Sequence, residues 1–116
     1  MKAFAIAYLA LFGLSQTIVG QDNPRKLSKS EALSAIVSKT NPEYPPIARQ
    51  LKLQGVVEVE ALVAEDGSVE TVNIVSGNPV LTRAAAAAVK KWKFTPLKEE
   101  GKPVKALAPL SLSFQL

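Results

Sequence analysis

GVVEVEALVAEDGSVETVNIVS, residues 55–76, is the stretch on which the fold turns. Val57, Val59, Ala61 and Val63 alternate with Val56, Glu58, Glu60 and Leu62, the two-residue repeat of a strand with one dry face. Asp66-Gly67 supplies a tight turn that tolerates positive φ. Ser68 to Ser76 returns as a second strand with Val72 and Ile74 inward. Val69 falls out of phase with them, and a bulge near Glu70-Thr71 repairs the mismatch. The stretch predicts a β-hairpin.

Downstream, Asn78 and Pro79 open a helix as N-cap and first residue. Leu81, Ala85, Ala88 and Trp92 share one stripe of it. The alanines from Ala84 to Ala88 let the helix lie close to a sheet, and alanine costs least to place in a helix. At the carboxyl end Leu110, Leu112, Phe114 and Leu116 alternate with Ser111, Ser113 and Gln115, a third strand. Pro109 cannot donate a ladder hydrogen bond, so this strand is expected at an edge or to begin there. Upstream, Tyr44, Ile47, Ala48 and Leu51 form an apolar stripe behind Pro45-Pro46, a helix that Gly55 is expected to end. Ser30 and Glu31 suggest a cap for a short helix over Ala32 to Ser38, with Leu33, Ile36 and Val37 on one side; a strand there is the rival. Residues 21–30 are polar.

AVKKWKFTP, residues 88–96, holds the single tryptophan and three lysines. As a nucleic-acid patch it needs exposed aromatics beside a positive groove. As packing it needs only Trp92 facing in with the helix stripe. Lys90, Lys91 and Lys93 then meet the negative end of the helix dipole, for roughly 0.3–1 kcal/mol each. The packing reading explains both halves, so no nucleic acid is expected.

The 116 residues allow one small domain. Residues 1–20 have the layout of a secretory signal peptide: Lys2, an apolar run from Ala3 to Leu14, and cleavage after Gly20. Ile18 is bulky for a cleavage site, and an uncleaved anchor is the rival. Beyond Gly20 the chain keeps 13 of its 14 basic residues and all 10 acidic ones, a net charge of +3. That forces no anionic partner. With neither cysteine nor histidine, there are no disulfides, no thiol nucleophile and no Ser-His-Asp triad. The remaining carboxylates, Glu58 and Glu60 on one strand face, Glu65-Asp66 at a turn and Glu99-Glu100 in a lysine-rich loop, read as solvated charge. A catalytic pair needs one buried, pKa-shifted member. The chain is therefore expected to be no enzyme, and to hold no catalytic residue, metal, cofactor or small-molecule substrate.

Taken in order, these pieces resemble the TonB C-terminal domain family over residues 40–116. They are Tyr44-Pro45 with Ala48, Gly55-x-Val57-x-Val59 with Asp66-Gly67, and Val72-x-Ile74 with Ser76-Gly77. Leu81 with Ala84–Ala88, the run from Ala88 to Pro96, Gly101-Lys102-Pro103-Val104 and Phe114 complete them. Thr82 departs from the acidic residue common in the family. The resemblance implies an α+β domain, two helices packed on one face of a three-stranded antiparallel sheet in a split β-α-β arrangement. Residues 21–39 are then an N-terminal extension, flexible or briefly helical. The core is assigned to Tyr44, Val57, Val59, Ile74, Leu81, Ala85, Ala88, Trp92 and Phe94.

Such domains receive a short peptide of an outer-membrane transporter as an added strand. An exposed edge offers unpaired N–H and C=O groups for that. Leu110, Ser111, Leu112, Ser113, Phe114 and Gln115 are the expected docking residues. Homodimer pairing, or an edge merely tolerated, are the rivals. Family transducers also carry a membrane anchor with a functional histidine and a long proline-rich span. This sequence has no histidine, and its 22 residues from Gln21 to Pro42 reach at most ~80 Å. The expectation is a periplasmic module that binds an extended segment of a transporter or other envelope protein. An anchored TonB-type energy transducer is the alternative.

Overall fold

The computed structural model describes residues 23–116; the expected signal peptide lies outside the described residues. Strand β3, Gly55–Val63, and strand β4, Val69–Ser76, form the hairpin. Strand β8, Ala106–Phe114, pairs antiparallel with the other side of β3, from Gly55 opposite Phe114 to Val63 opposite Ala106. Every second residue turns to one face. Val57, Val59, Ala61 and Val63 of β3 and Ala106, Ala108, Leu110, Leu112 and Phe114 of β8 are buried there.

Leu62 pairs with Thr71 and Val63 with Val69, so Glu70 is an extra residue, the bulge that the phase slip of Val69 demanded. A second shift leaves Val75 extra between Ile74 and Ser76. Ile74 corrects the core assignment. It lies opposite Val59, on the covered face, yet is 43% exposed. It sits on β4, the outermost strand of the sheet.

That helix, α3, spans Pro79–Val89. The Asn78 side chain accepts the Val80 N–H at 2.9 Å, as its position before Pro79 predicts. Leu81, Ala85, Ala88 and Val89 are buried against the sheet. Each large apolar side chain so covered contributes about 1.5–3 kcal/mol. The helix stops before the lysine run: Lys90 is its C-cap, and no basic residue stands in its last turn. The expected dipole contribution of the lysines is displaced accordingly. Trp92, 5% exposed, and Phe94, 3% exposed, follow it into the core.

Strand β5, Lys93–Phe94, pairs with β2, Ile36–Ser38, and its Phe94 N–H donates to the Gly67 carbonyl at 2.8 Å. Gly67 has φ +91°, and a Cβ on it would stand 2.1 Å from the Phe94 carbonyl oxygen. The hairpin turn is thus clamped to β5, where only glycine fits. Strands β6, Leu97–Glu99, and β7, Lys102–Val104, form a separate ribbon.

Helix α2, Pro46–Gln50, buries only Ala48; Tyr44 is half-buried, while Ile47 and Leu51 stay exposed. Gly55 does not end it. Lys52 does, with φ 54°, a left-handed conformation that glycine or asparagine usually supplies.

Residues 23–39 of the N-terminal extension join the fold. Helix α1, Lys29–Ala35, is capped by Ser28 and Glu31 in a reciprocal capping box, two residues earlier than Ser30. Its buried residue is Ala32, whereas Leu33 and Val37 are exposed. Before it, strand β1, Arg25–Lys26, pairs parallel with β8. The described residues therefore hold three helices and a main sheet of four strands in the order β1-β8-β3-β4. The α+β class and the return of β8 beside β3 are as expected. The short helix expected in the extension is α1, starting three residues earlier and ending at Ala35, where strand β2 takes over. β1 is a fourth strand beyond the expected three, so β8 is not an outer strand along its whole length.

Candidate functional site

Which part of β8 remains open follows from hydrogen-bond direction. The N–H groups of Arg25 and Leu27 donate to the carbonyls of Lys105 and Leu107 at 3.0 and 2.9 Å. Odd-numbered residues of β8 therefore turn their backbone groups away from β3, and even-numbered ones turn theirs toward it. Pro109 faces outward but has no N–H to give. Beyond it, Ser111 and Ser113 aim N–H and C=O outward, and on that outer side, away from β3, no strand among the described residues pairs with them.

The six expected docking residues therefore divide by parity. Leu110, Leu112 and Phe114 are buried, with exposures of 2%, 5% and 3%, and their backbone serves the β3 ladder. Ser111 and Ser113 are exposed and carry the open edge. Gln115 is exposed but lies past the end of the strand.

A cleft of about 200 Å³ runs beside this edge, lined by Lys39, Asn41, Pro42, Trp92 and Ser111–Ser113. Its far wall is held by the indole: Trp92 Nε1 donates to the Thr40 carbonyl at 2.8 Å. Lys39 Nζ stands 5.6 Å from the Trp92 ring centroid, a cation–π distance. At the C-terminal end of β8, Tyr44 meets Phe114 edge-on at 5.8 Å, and its hydroxyl donates to the Leu53 carbonyl. Trp92 is thus a structural wall, placed where base stacking cannot reach it.

On the opposite face, Ser111 sits across from Glu58. Ser111 Oγ donates to Glu58 Oε1 at 2.7 Å, and Lys29 Nζ reaches both, at 3.0 Å to Glu58 and 2.8 Å to Ser111. The Ser111 hydrogen bond, then that of Lys29, hold the Glu58 carboxyl below its ordinary 4.5. That direction is opposite to the one a general acid needs. Among the described residues no His, Cys, Asp or Glu cluster could hold a metal. Sequence reasoning missed Lys29 and the whole of β1. The Ser28-x-x-Glu31 spacing would have placed α1 correctly, while a two-residue strand joined by backbone alone leaves no pattern.

The family described as Gram-negative bacterial TonB protein C-terminal matches residues 40–116. The chain belongs to that family. The TonB protein of Vibrio cholerae serotype O1 is 33% identical over 104 residues, which cover 88% of this chain and 41% of that protein. The TonB protein of Escherichia coli K12 is 35% identical over 69 residues, covering 58% of this chain and 27% of its own length. The chain thus spans well under half the length of these TonB relatives. The solution NMR structure of the Pseudomonas aeruginosa TonB CTD superposes with a TM-score of 0.58 at 25% identity. It covers 70% of this chain and 84% of that one.

Proposed function

We propose that this chain is a periplasmic binding module for the TonB-dependent transport system. It accepts an extended segment of an outer-membrane transporter, or of another envelope protein, as a strand added to β8. The observation that carries this reading is the outward-facing backbone of Ser111 and Ser113, on a side of β8 that β1 covers only at Ala106 and Leu107. Backbone bonding gives a visitor affinity, and the adjoining cleft gives selectivity through alternate side chains. Neither step requires chemistry, so the module is no enzyme.

The test is a titration of the described domain with synthetic transporter-derived peptides, followed by amide chemical shifts. Changes centred on Ser111 and Ser113 support the reading; changes confined to β4 or α2 refute it. Pairing of two copies through the same edge would show as concentration-dependent shifts without peptide.

The TonB relatives themselves favour a second reading, an anchored energy transducer. No helix of the described residues is long and apolar enough to cross a membrane; residues 1–20, which lie outside them, are the candidate anchor of this reading. A mature protein beginning near Gln21 and free of the membrane fraction would exclude that reading.

A further inference from the structure

The same side of β8 already has, upstream of the open stretch, an occupant from the same chain. β1 bonds the outward carbonyls of Lys105 and Leu107, and the ladder stops where Pro109 offers no donor. The chain then turns into α1, whose first residue, Lys29, places its ammonium 2.8 Å from Ser111 Oγ. The segment from Arg25 to Lys29 therefore reaches both the covered and the open part of the edge.

The two ends of this strap are held unequally. Ala32 of α1 is fully buried, a fixed anchor. β1 has two residues, both exposed, and its Arg25–Glu99 ion pair at 3.1 Å is exposed on both sides. Pairs of that kind contribute little. β1 is thus the more weakly held end, kept by its backbone bonds, that exposed pair and the half-buried Leu27 that follows it.

We infer that this strap competes in cis with the docked segment: binding requires β1 to leave β8 and Lys29 to release Ser111. This rests on the edge-docking reading above. The open stretch alone offers only two donors, those of Ser111 and Ser113. Removal of β1 frees Leu107 as well, lengthening the usable edge past Pro109. The apparent affinity is then the intrinsic one reduced by the fraction of molecules with the strap open.

The chain lacks cysteine, so a single engineered disulfide can lock the strap. Lys26 and Leu107 are register partners, and their side chains share the outer face, the geometry a cross-strand disulfide needs. In K26C/L107C, oxidised protein should bind a transporter-derived peptide at least about tenfold more weakly than the same protein after reduction. Arg25→Pro deletes one strap donor and should tighten binding by roughly three- to tenfold. Amide shifts of Ser111 and Ser113 are read in every case. Equal affinity of oxidised and reduced protein, with those shifts intact, overturns the strap inference and leaves edge docking standing. Absence of those shifts in reduced protein at saturating peptide overturns edge docking itself, and the strap with it.

Discussion

Proline placed at two adjacent positions of β8 should give opposite results. At Leu112 the N–H points to β3, where Leu112 lies opposite Val57, so Leu112→Pro removes a ladder bond and leaves a buried carbonyl without its donor. That costs about 1–3 kcal/mol. The side chain is 5% exposed, and truncating a buried leucine adds about 2–5 kcal/mol. The sum rivals the whole stability of a small domain, about 5–15 kcal/mol. At Ser113 the N–H points to solvent, no β3 bond is lost, and the preceding residue is already extended, as a following proline requires. Ser113→Pro should change stability by less than about 1 kcal/mol. It should weaken peptide binding at least tenfold, because it deletes one of two open donors and puts a ring where the visitor's backbone would lie. Urea unfolding and the peptide titration read the two effects separately. Equal destabilisation by both variants would refute the assigned backbone directions, and full peptide affinity in Ser113→Pro would refute docking there.

Three further outcomes are expected. Gly67→Ala forces a Cβ to within 2.1 Å of the Phe94 carbonyl at φ +91°, and should cost about 2–4 kcal/mol in urea unfolding. Lys52→Gly relieves a residue at φ 54° and should stabilise by about 0.5–1 kcal/mol on the same measurement. Glu58, Glu31 and Asp66 all have lowered pKa values in the folded protein, from the Ser111 hydrogen bond and the Lys29 contact for Glu58, and from Ser28 and Ser68 for the other two. Depressed carboxylates bind fewer protons when folded, so their stabilisation is present above the unfolded values near 4 and is lost as pH falls through the folded ones. Urea midpoints should therefore decline on acidification below that point, and Ser111→Ala should move the Glu58 carboxyl titration, followed by NMR, back up toward 4.5.

Much of the fold was legible because its signals are local. The alternation of Val57 to Val63, the Asn78-Pro79 start and the phase slip of Val69 each state a structure in a few residues. Ile74, Ile47 and Leu51 show the limit of such signals. Periodicity names the face a side chain takes, while coverage depends on what the rest of the fold lays over that face. The candidate site was legible as a strand at the rim of the sheet, but not as a rim partly covered by β1. Whether β8 has a second neighbour depends on Arg25 and Leu27, residues some eighty positions away that pair through backbone groups common to every sequence. Parity within the strand could have been read earlier, since Ser111 and Ser113 are the polar members of its alternation.

The bulges at Glu70 and Val75 put both irregularities of the hairpin on the far rim of the sheet. A rim so kinked makes a poor template for a flat partner strand. Growth of the sheet is thereby one-sided. If a guest docks on β8 as proposed, a molecule that can lengthen in a single direction would end with that guest and form stoichiometric pairs, whereas two receptive rims would let copies string together without limit.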